Sequence, residues 1–231
     1  MPAYKIGSGD ITWTQFIEEV ACKNKPVIIA TGASDITDVE RAVDAVLKHT
    51  PQIALMQCNT NYTGSQDNFQ YIHLRVLQHY ALMYPNMVLG LSDHTPYHAT
   101  VLGAITLGAR LIEKHFTDDN SRPGPDHPFS MNPKTWRNMI DASRELEASI
   151  GDGKKIIEKN EKITSIIQRR SIRLIVDIKK GQPIKSSYLE CLRPRPSDAI
   201  SPMDISKIIN KKLKKDKKKG DYISTKDFKF K

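Results

Sequence analysis

A regular alternation of short apolar segments with longer amphipathic ones constrains the fold of this chain more than any other feature. Five β-branched, apolar segments are predicted strands, at 4–9, 26–32, 53–58, 87–93 and 110–116. A segment with helical spacing follows each strand, at 11–24, 35–48, 68–84, 95–109 and 133–150. Strands buried on both faces and alternating with helices are typical of parallel α/β proteins. The pattern does not decide between an open doubly wound sheet and part of a (β/α)8 barrel, which needs three more units.

The chain after residue 151 has a different pattern. Residues 153–166 are rich in charge and are predicted to form a linker. Residues 167–231 contain short strand-like segments with turn signals, including a predicted strand pair at 220–228, and indicate a small β-rich domain. The predicted organisation is therefore an α/β portion at 1–152, the linker, and a second domain large enough to fold by itself.

Charge is distributed unevenly between these two parts. Residues 1–150 carry 12 Lys and Arg against 16 Asp and Glu, whereas residues 151–231 carry 23 against 10. Much of the excess lies in the lysine run at 210–221, which has no interleaved aromatic or arginine residues. We therefore interpret the run as a solvated surface and do not expect a nucleic-acid partner.

Other features of the composition exclude further classes of protein. No apolar run approaches the ~20 residues needed to span a bilayer, and the N-terminus lacks the pattern of a signal peptide. The three cysteines are scattered without CxxC spacing, which argues against a structural zinc site. A cytoplasmic protein without a membrane partner is expected.

Polar residues follow the predicted strands where each strand ends. In parallel α/β folds the carboxyl ends of the strands converge on one mouth, where the chemistry takes place. One cation and several hydroxyls there are suitable ligands for a phosphate or carboxylate. This set comprises Lys5, Ser8, Thr31, Thr60 and Ser92. Each of them, taken alone, is more typical of a capping or turn residue than of a ligand.

Two histidines follow successive strands, His94 in GLSDHT and His115 in EKHF. Neutral imidazoles at adjacent strand ends can share a divalent metal that polarises a substrate carbonyl, although hydrogen-bonded histidines at the rim are an equal alternative. Asp93 and Asp126 are candidates for orienting ligands, or are turn and N-cap residues. Lys114 is either an anion-binding cation or a partner of the adjacent Glu113.

Seven segments stand out as a series: AYKIGSGD, IIATG, QCNTNY, GLSDHT, GAITLGARLIEKHFT, RPGPDHPFSMNP and LRPRP. Together and in order they resemble the sialic acid synthase family, and they cover essentially the whole chain. The resemblance implies a partial (β/α)8 TIM barrel, about the last five β/α units, followed by an antifreeze-like SAF domain.

The resemblance also implies a reaction. Members of this family condense phosphoenolpyruvate with an N-acylated mannosamine-type sugar and release phosphate and a nine-carbon 2-keto acid. A divalent metal, usually Mn2+ with Mg2+ as the alternative, polarises the aldehyde of the sugar. The partners implied are the two substrates and a second subunit in a domain-exchanged homodimer.

Individual roles follow by motif. His94 and His115 resemble the metal ligands, and with Asp126 they form the implied catalytic set. Residues resembling those that bind phosphoenolpyruvate are Lys5, Ser8, Thr60 and Ser92, and those resembling sugar-binding residues are Tyr62, Asp126 and Arg193. In the family that arginine is lent to the mouth of the neighbouring subunit.

The sequence also departs from the family pattern. Ala30 stands where a phosphate-contacting serine is common, and the segment around Tyr62 lacks the usual flanking residues, so N-acetylneuraminic, legionaminic and pseudaminic products stay open. The N-terminal motif resembles the fourth barrel strand of the family, so three units are expected to be missing, together with an acidic residue and a lysine. The alternatives are a synthase of 3-deoxy sugar acids, against which the SAF-like segment argues, and an inactive binding or interaction module.

Overall fold

The computed structural model describes residues 1–228 and divides the chain into two compact units. The first unit is Met1–Gly153, and the second begins at Lys154. Within residues 1–228, no helix is both long enough and apolar enough to pass through a lipid bilayer.

The first unit alternates strands and helices as the sequence predicts. Its strands are β1 (Tyr4–Ile6), β2 (Val27–Ala30), β3 (Ile53–Cys58), β4 (Val88–Asp93) and β5 (Leu111–Lys114). Its helices are α1 (Thr14–Ala21), α2 (Ile36–Leu47), α3 (Val76–Met83), α4 (Ala99–Thr106) and α5 (Pro133–Ile150). Capping boxes begin two of the helices, with Asp35 before α2 and Asn132 before α5.

The order of the strands decides between the two architectures that the sequence left open. All neighbouring pairs are parallel, and the strands lie in the order β1-β2-β3-β4-β5. A doubly wound sheet would reverse direction at a switch point, whereas a barrel places its strands in sequence order. The sheet therefore has barrel topology.

A single ion pair shows that this sheet is curled. In a flat sheet, β1 and β5 would lie about 19 Å apart, because neighbouring strands are spaced by ~4.8 Å. Yet Lys5 Nζ on β1 lies 2.8 Å from Glu113 Oε1 on β5. Two side chains can meet in this way only if the edge strands bend toward each other over the inner face. The first unit is thus a curled half-barrel, as predicted.

The outer face of the half-barrel carries its main core. Alternate strand residues point outward and pack against the helices, among them Ile6, Ile29, Leu55 and Leu91, which are all 1% exposed or less. The intervening residues point inward. Successive side chains of a strand point to opposite faces of the sheet. Each residue at a strand end therefore faces either the helices or the inner face.

One predicted helix is interrupted. The segment predicted as a single helix at 68–84 forms a 3-10 helix at Gln66–Tyr71 and then α3. His73 lies between them with φ of 50°, in the left-handed region that breaks a helix.

The second unit is a small β-rich module with its own core. Strands β6 (Ser171–Leu174) and β7 (Leu189–Leu192) pair antiparallel, and helix α6 (Lys162–Gln168) precedes them, partly within the predicted linker. The predicted strand pair at 220–228 is wrong: Tyr222 and Ser224 make isolated bridges to other segments, and a 3-10 helix follows.

Candidate metal and substrate site

His94 directly follows β4 and has a defined orientation. Its Nδ1 lies 2.8 Å from the carbonyl oxygen of Asn59. A carbonyl can only accept, so Nδ1 donates the proton and Nε2 keeps its lone pair. Burial lowers the pKa of His94, although its hydrogen bond to Asn59 acts in the opposite direction. The imidazole is therefore held neutral, in the form that binds metals.

His115 directly follows β5 and lies beside His94. The two ring centroids are 5.1 Å apart, and the rings meet edge to face. Its backbone carbonyl accepts a hydrogen bond from Met131 N, and Asp126 Oδ2 lies 3.4 Å from its Nδ1. The structure thus brings together His94, His115 and Asp126, which the sequence predicts as one catalytic set.

Two aromatic rings border the histidine pair. The ring of Tyr62 lies 4.3 Å from that of His94 and 5.7 Å from that of His115. The ring of Phe129 lies 5.1 Å from that of His115. Tyr62 is half-exposed, so its ring and hydroxyl are available to a ligand at the mouth.

The donor set fits a divalent metal that takes its other ligands from substrate and water. Two imidazoles that bind one ion at roughly 2 Å from each nitrogen have centroids roughly 5 Å apart, close to the separation of His94 and His115. Within the described residues there is no group of three or more His, Cys, Asp or Glu side chains that could hold a metal. An ion bound by these two imidazoles alone would take its remaining ligands from substrate and water.

Four of the five predicted anion-binding residues, all except Thr31, lie on the inner face near the same strand ends. Ser8 Oγ accepts a hydrogen bond of 2.9 Å from Gly32 N. A Cβ at Gly32 would lie 2.5 Å from Thr60 Cγ2 and 2.9 Å from Ser8 Oγ, so glycine alone permits this close approach. Ser92 is buried near the end of β4.

Lys5, the cation among the predicted anion-binding residues, is already paired with a carboxylate. Its Nζ donates to Glu113 Oε1 at 2.8 Å, and both side chains are about two-fifths exposed. Among the described residues, Glu113 Oε2 has no hydrogen-bond partner. An anion that binds Lys5 must therefore share it with this carboxylate.

Thr31 is a correction to the predicted set. Its hydroxyl donates to Met56 O at 3.0 Å and accepts from Tyr80 OH at 3.0 Å. Thr31 follows the inward-facing Ala30, so it points into the helix layer. Its hydroxyl is not available to a ligand on the inner face.

Both interpretations of Lys114 are also wrong. Its side chain is 1% exposed, and Nζ donates to Asp93 Oδ2 at 2.6 Å rather than to Glu113 or to the mouth. Asp93 in turn closes a turn by accepting from Thr95 N at 3.0 Å. This buried ion pair lies on the helix side of the sheet, where alternation places residues 93 and 114.

Arg193 lies in the second unit. Its Nε donates to the carbonyl oxygen of Gln168 at 2.7 Å, and its side chain is exposed. The predicted role in sugar binding at a neighbouring mouth stays a prediction.

The sequence missed three residues of the site: Asn59, Phe129 and Glu113. Asn59 acts through its backbone carbonyl, which no side-chain pattern reveals. Phe129 comes from the loop before α5, and Glu113 meets Lys5 only because the sheet curls. The sequence did allow Glu113 to be found. Side chains alternate along a strand, so residues 113 and 115 lie on the same face, and Glu113 is expected on the face of His115.

Comparison with known proteins defines the class to which this fold and site belong. The model of the NeuB family matches residues 1–155, and that of the SAF domain matches residues 169–229. These two matches define the class as the sialic acid synthase family. The chain belongs to this family, the NeuB family.

Named relatives agree with this assignment. The chain is 36% identical to the N,N'-diacetyllegionaminic acid synthase of Legionella pneumophila, over 90% of this chain and 58% of the relative. It is 32% identical to the synthase of the same name from Campylobacter jejuni, over 95% of this chain and 65% of that relative. The crystal structure of the spore coat polysaccharide biosynthesis protein SpsE of Bacillus subtilis has a TM-score of 0.60 at 28% identity and covers 99% of this chain and 68% of its own. The chain thus spans about three-fifths of the length of these two synthases.

Proposed function

We propose that this chain supplies part of the active site of a synthase that condenses phosphoenolpyruvate with an N-acylated hexosamine-type sugar. The observation that carries the proposal is the pair of imidazoles, His94 and His115, 5.1 Å apart beside the anion-binding group of the inner face. Family membership supports this reaction, and the pair is the place where we propose that the aldehyde is activated. The products are a nine-carbon 2-keto acid and phosphate.

Each group has a defined task in this proposal. His94 and His115 hold Mn2+, or Mg2+ in its place, which acts as a Lewis acid on the aldehyde oxygen when it is bound. Asp126 and Tyr62 bind hydroxyl groups of the open-chain sugar at the half-exposed rim. The phosphate and carboxylate of phosphoenolpyruvate are bound on the inner face by Lys5, Ser8, Thr60 and Ser92.

Bond changes follow from this placement. C3 of phosphoenolpyruvate forms a bond to the aldehyde carbon of the sugar, whose oxygen becomes a hydroxyl. Water adds at C2, and phosphate leaves from the same carbon to give the ketone. The cationic and hydroxyl donors of the inner face keep the enol phosphate within reach of the aldehyde and stabilise charge as it develops.

The sugar is proposed to be a diacetylated one that leads to a legionaminic acid. The synthases at 36% and 32% identity are both named for that product. Pseudaminic- and neuraminic-type sugars are the competing substrates. The expectation of a cytoplasmic protein stays a prediction.

A product assay tests the function. The protein is completed by fusing to β1 the three β/α units that the family places before it, taken from the Legionella relative; this fusion is called the completed barrel. With Mn2+, phosphoenolpyruvate and each candidate sugar in turn, equal amounts of phosphate and 2-keto acid are expected. Release of phosphate without a sugar-derived keto acid, or no product with any sugar, would refute the proposal.

We further propose a domain-exchanged homodimer, in which Arg193 of the partner subunit completes the sugar site. Inactive Arg193→Ala and His94→Ala completed barrels are mixed under conditions that exchange subunits. Roughly a quarter of wild-type turnover is expected, since about half of the dimers are mixed and each contains one intact site. Absence of complementation in verified mixed dimers would exclude the exchange.

A further inference from the structure

A buried ion pair is formed by the two residues that directly precede the histidines in the chain. Asp93 and Lys114 are the last residues of β4 and β5 and are register partners. Their side chains are 0% and 1% exposed, and Nζ lies 2.6 Å from Oδ2. A buried charge pair of this kind is costly unless its geometry is good and its remaining hydrogen bonds are made.

The surrounding hydrogen bonds satisfy that requirement. Asp93 Oδ2 accepts from Thr100 Oγ1 of α4 at 2.6 Å, and Asp93 Oδ1 accepts from Thr95 N at 3.0 Å and Thr95 Oγ1 at 2.9 Å. Lys114 Nζ also donates to Thr95 O at 2.6 Å. The network therefore joins β4, β5, α4 and the turn after β4.

Packing alone does not require charges at this place. Two residues earlier on each strand, the register partners are Leu91 and Ile112. Both are apolar, and they face the same helix layer. The pair that packs against the helices is thus apolar at this position, and a charged pair replaces it only at the position next to the imidazoles. Unlike apolar contacts, short charge-assisted hydrogen bonds fix direction as well as distance.

We propose that the Asp93–Lys114 ion pair is a positioning device for the two histidines. Each member immediately precedes one imidazole, and Thr95, held by both members, immediately follows His94. His94 is thereby fixed on both sides along the chain, with its Nδ1 2.8 Å from Asn59 O and its ring centroid 5.1 Å from that of His115. The relevance to metal binding rests on the proposed function, whereas the positioning itself does not.

The test compares removal of both charges with removal of one. The double variant Asp93→Asn/Lys114→Met keeps a similar shape and leaves no buried charge unpaired, so it is expected to fold. Either single variant leaves one partner without its counter-charge and is expected to unfold at a lower urea concentration. The matched control is Asp227→Asn/Lys217→Met, which removes the buried pair of the second unit, 2.5 Å long and distant in sequence from any histidine.

Two readouts separate positioning from stability. Side-chain 15N NMR of the metal-free completed barrel is expected to show His94 as one tautomer, protonated at Nδ1, and a mixture of tautomers when the completed barrel carries Asp93→Asn/Lys114→Met. Titration with Mn2+ alone is expected to show affinity weakened roughly 10–100-fold in that variant, as for other residues that orient metal ligands. The control pair should leave both readouts at their wild-type values.

A folded double variant with the wild-type His94 tautomer would overturn the inference, as would an equal effect of the control pair. If the completed barrel without these substitutions binds no Mn2+ but the tautomer still changes in the double variant, positioning stands and the proposed metal fails. If the double variant does not fold, Thr100→Val removes one hydrogen bond to Asp93 and leaves both charges paired. It should shift the tautomer in the same direction, and an unchanged His94 spectrum would then overturn the inference.

Discussion

Replacing His94 or His115 with alanine is expected to reduce phosphate release by the completed barrel by at least ~10²-fold, because Lewis-acid activation of the aldehyde contributes several kcal/mol to the rate. Each variant keeps one imidazole, which by itself does not hold the metal in a fixed position. Excess Mn2+ is therefore expected to restore part of the turnover at most. Initial rates over a range of Mn2+ concentrations provide the measurement.

The control is His79→Ala, which removes an exposed imidazole on α3 and should leave the rate unchanged. Circular dichroism of all variants shows whether the fold is retained. Wild-type turnover in the His94→Ala protein would show that the imidazole pair is not the metal site. A loss of the same size in His79→Ala would show that the assay reports protein quality instead.

A polypeptide of residues 1–231 alone is expected to associate and to show no synthase turnover. Five parallel strands cannot close a barrel with ordinary tilt and shear, and β1 and β5 are the two edges of the sheet. Apolar side chains of the inner face are also open to water, such as Val88, which is 49% exposed. Unpaired edges and exposed apolar patches both favour association.

Light scattering and phosphate release at saturating substrates with Mn2+ measure the two effects. The completed barrel should regain solubility and turnover together, since the same three units cover the inner face and close the sheet. Robust turnover by a monodisperse 26.1 kDa chain would contradict this prediction. If the completed barrel were soluble and bound phosphoenolpyruvate without turnover, the alternative of a binding module would be favoured.

The elements of the first unit could largely be predicted from the sequence because their periodicity is strong. The bounds of β3 and α5 coincide with the predicted 53–58 and 133–150. The alternation could not distinguish a barrel from a doubly wound sheet, since that choice depends on which strands pair. Strand pairing is a long-range property, and the structure settles it through the sequential order.

Errors at the site have a common physical cause. Thr31 and Lys114 were predicted to face a ligand because they lie at strand ends, but the end of a strand has two faces. Their neighbours Ala30 and His115 face inward, so alternation sends Thr31 and Lys114 to the helix layer. Assigning each strand-end residue to the inner or the helix face from the period of two would have predicted that Thr31 and Lys114 face the helices.

Other features were beyond any local pattern. The carbonyl of Asn59 orients His94, although the two residues are 35 positions apart. Lys5 and Glu113 meet across 108 positions, and only the curl of the sheet brings them together. Contacts of this kind depend on tertiary structure, so residue types and spacing do not reveal them.

One spectroscopic measurement tests the proposed two-histidine metal site most directly. The completed barrel, labelled with 15N in its histidines, is loaded with Mn2+ and studied by electron spin echo spectroscopy, which detects nitrogen nuclei bound to the ion. One bound Mn2+ per chain, coupled to two histidine nitrogens and to one in either His94→Ala or His115→Ala, is the predicted result. Bound Mn2+ without histidine coupling, or coupling that is unchanged in both variants, would contradict it.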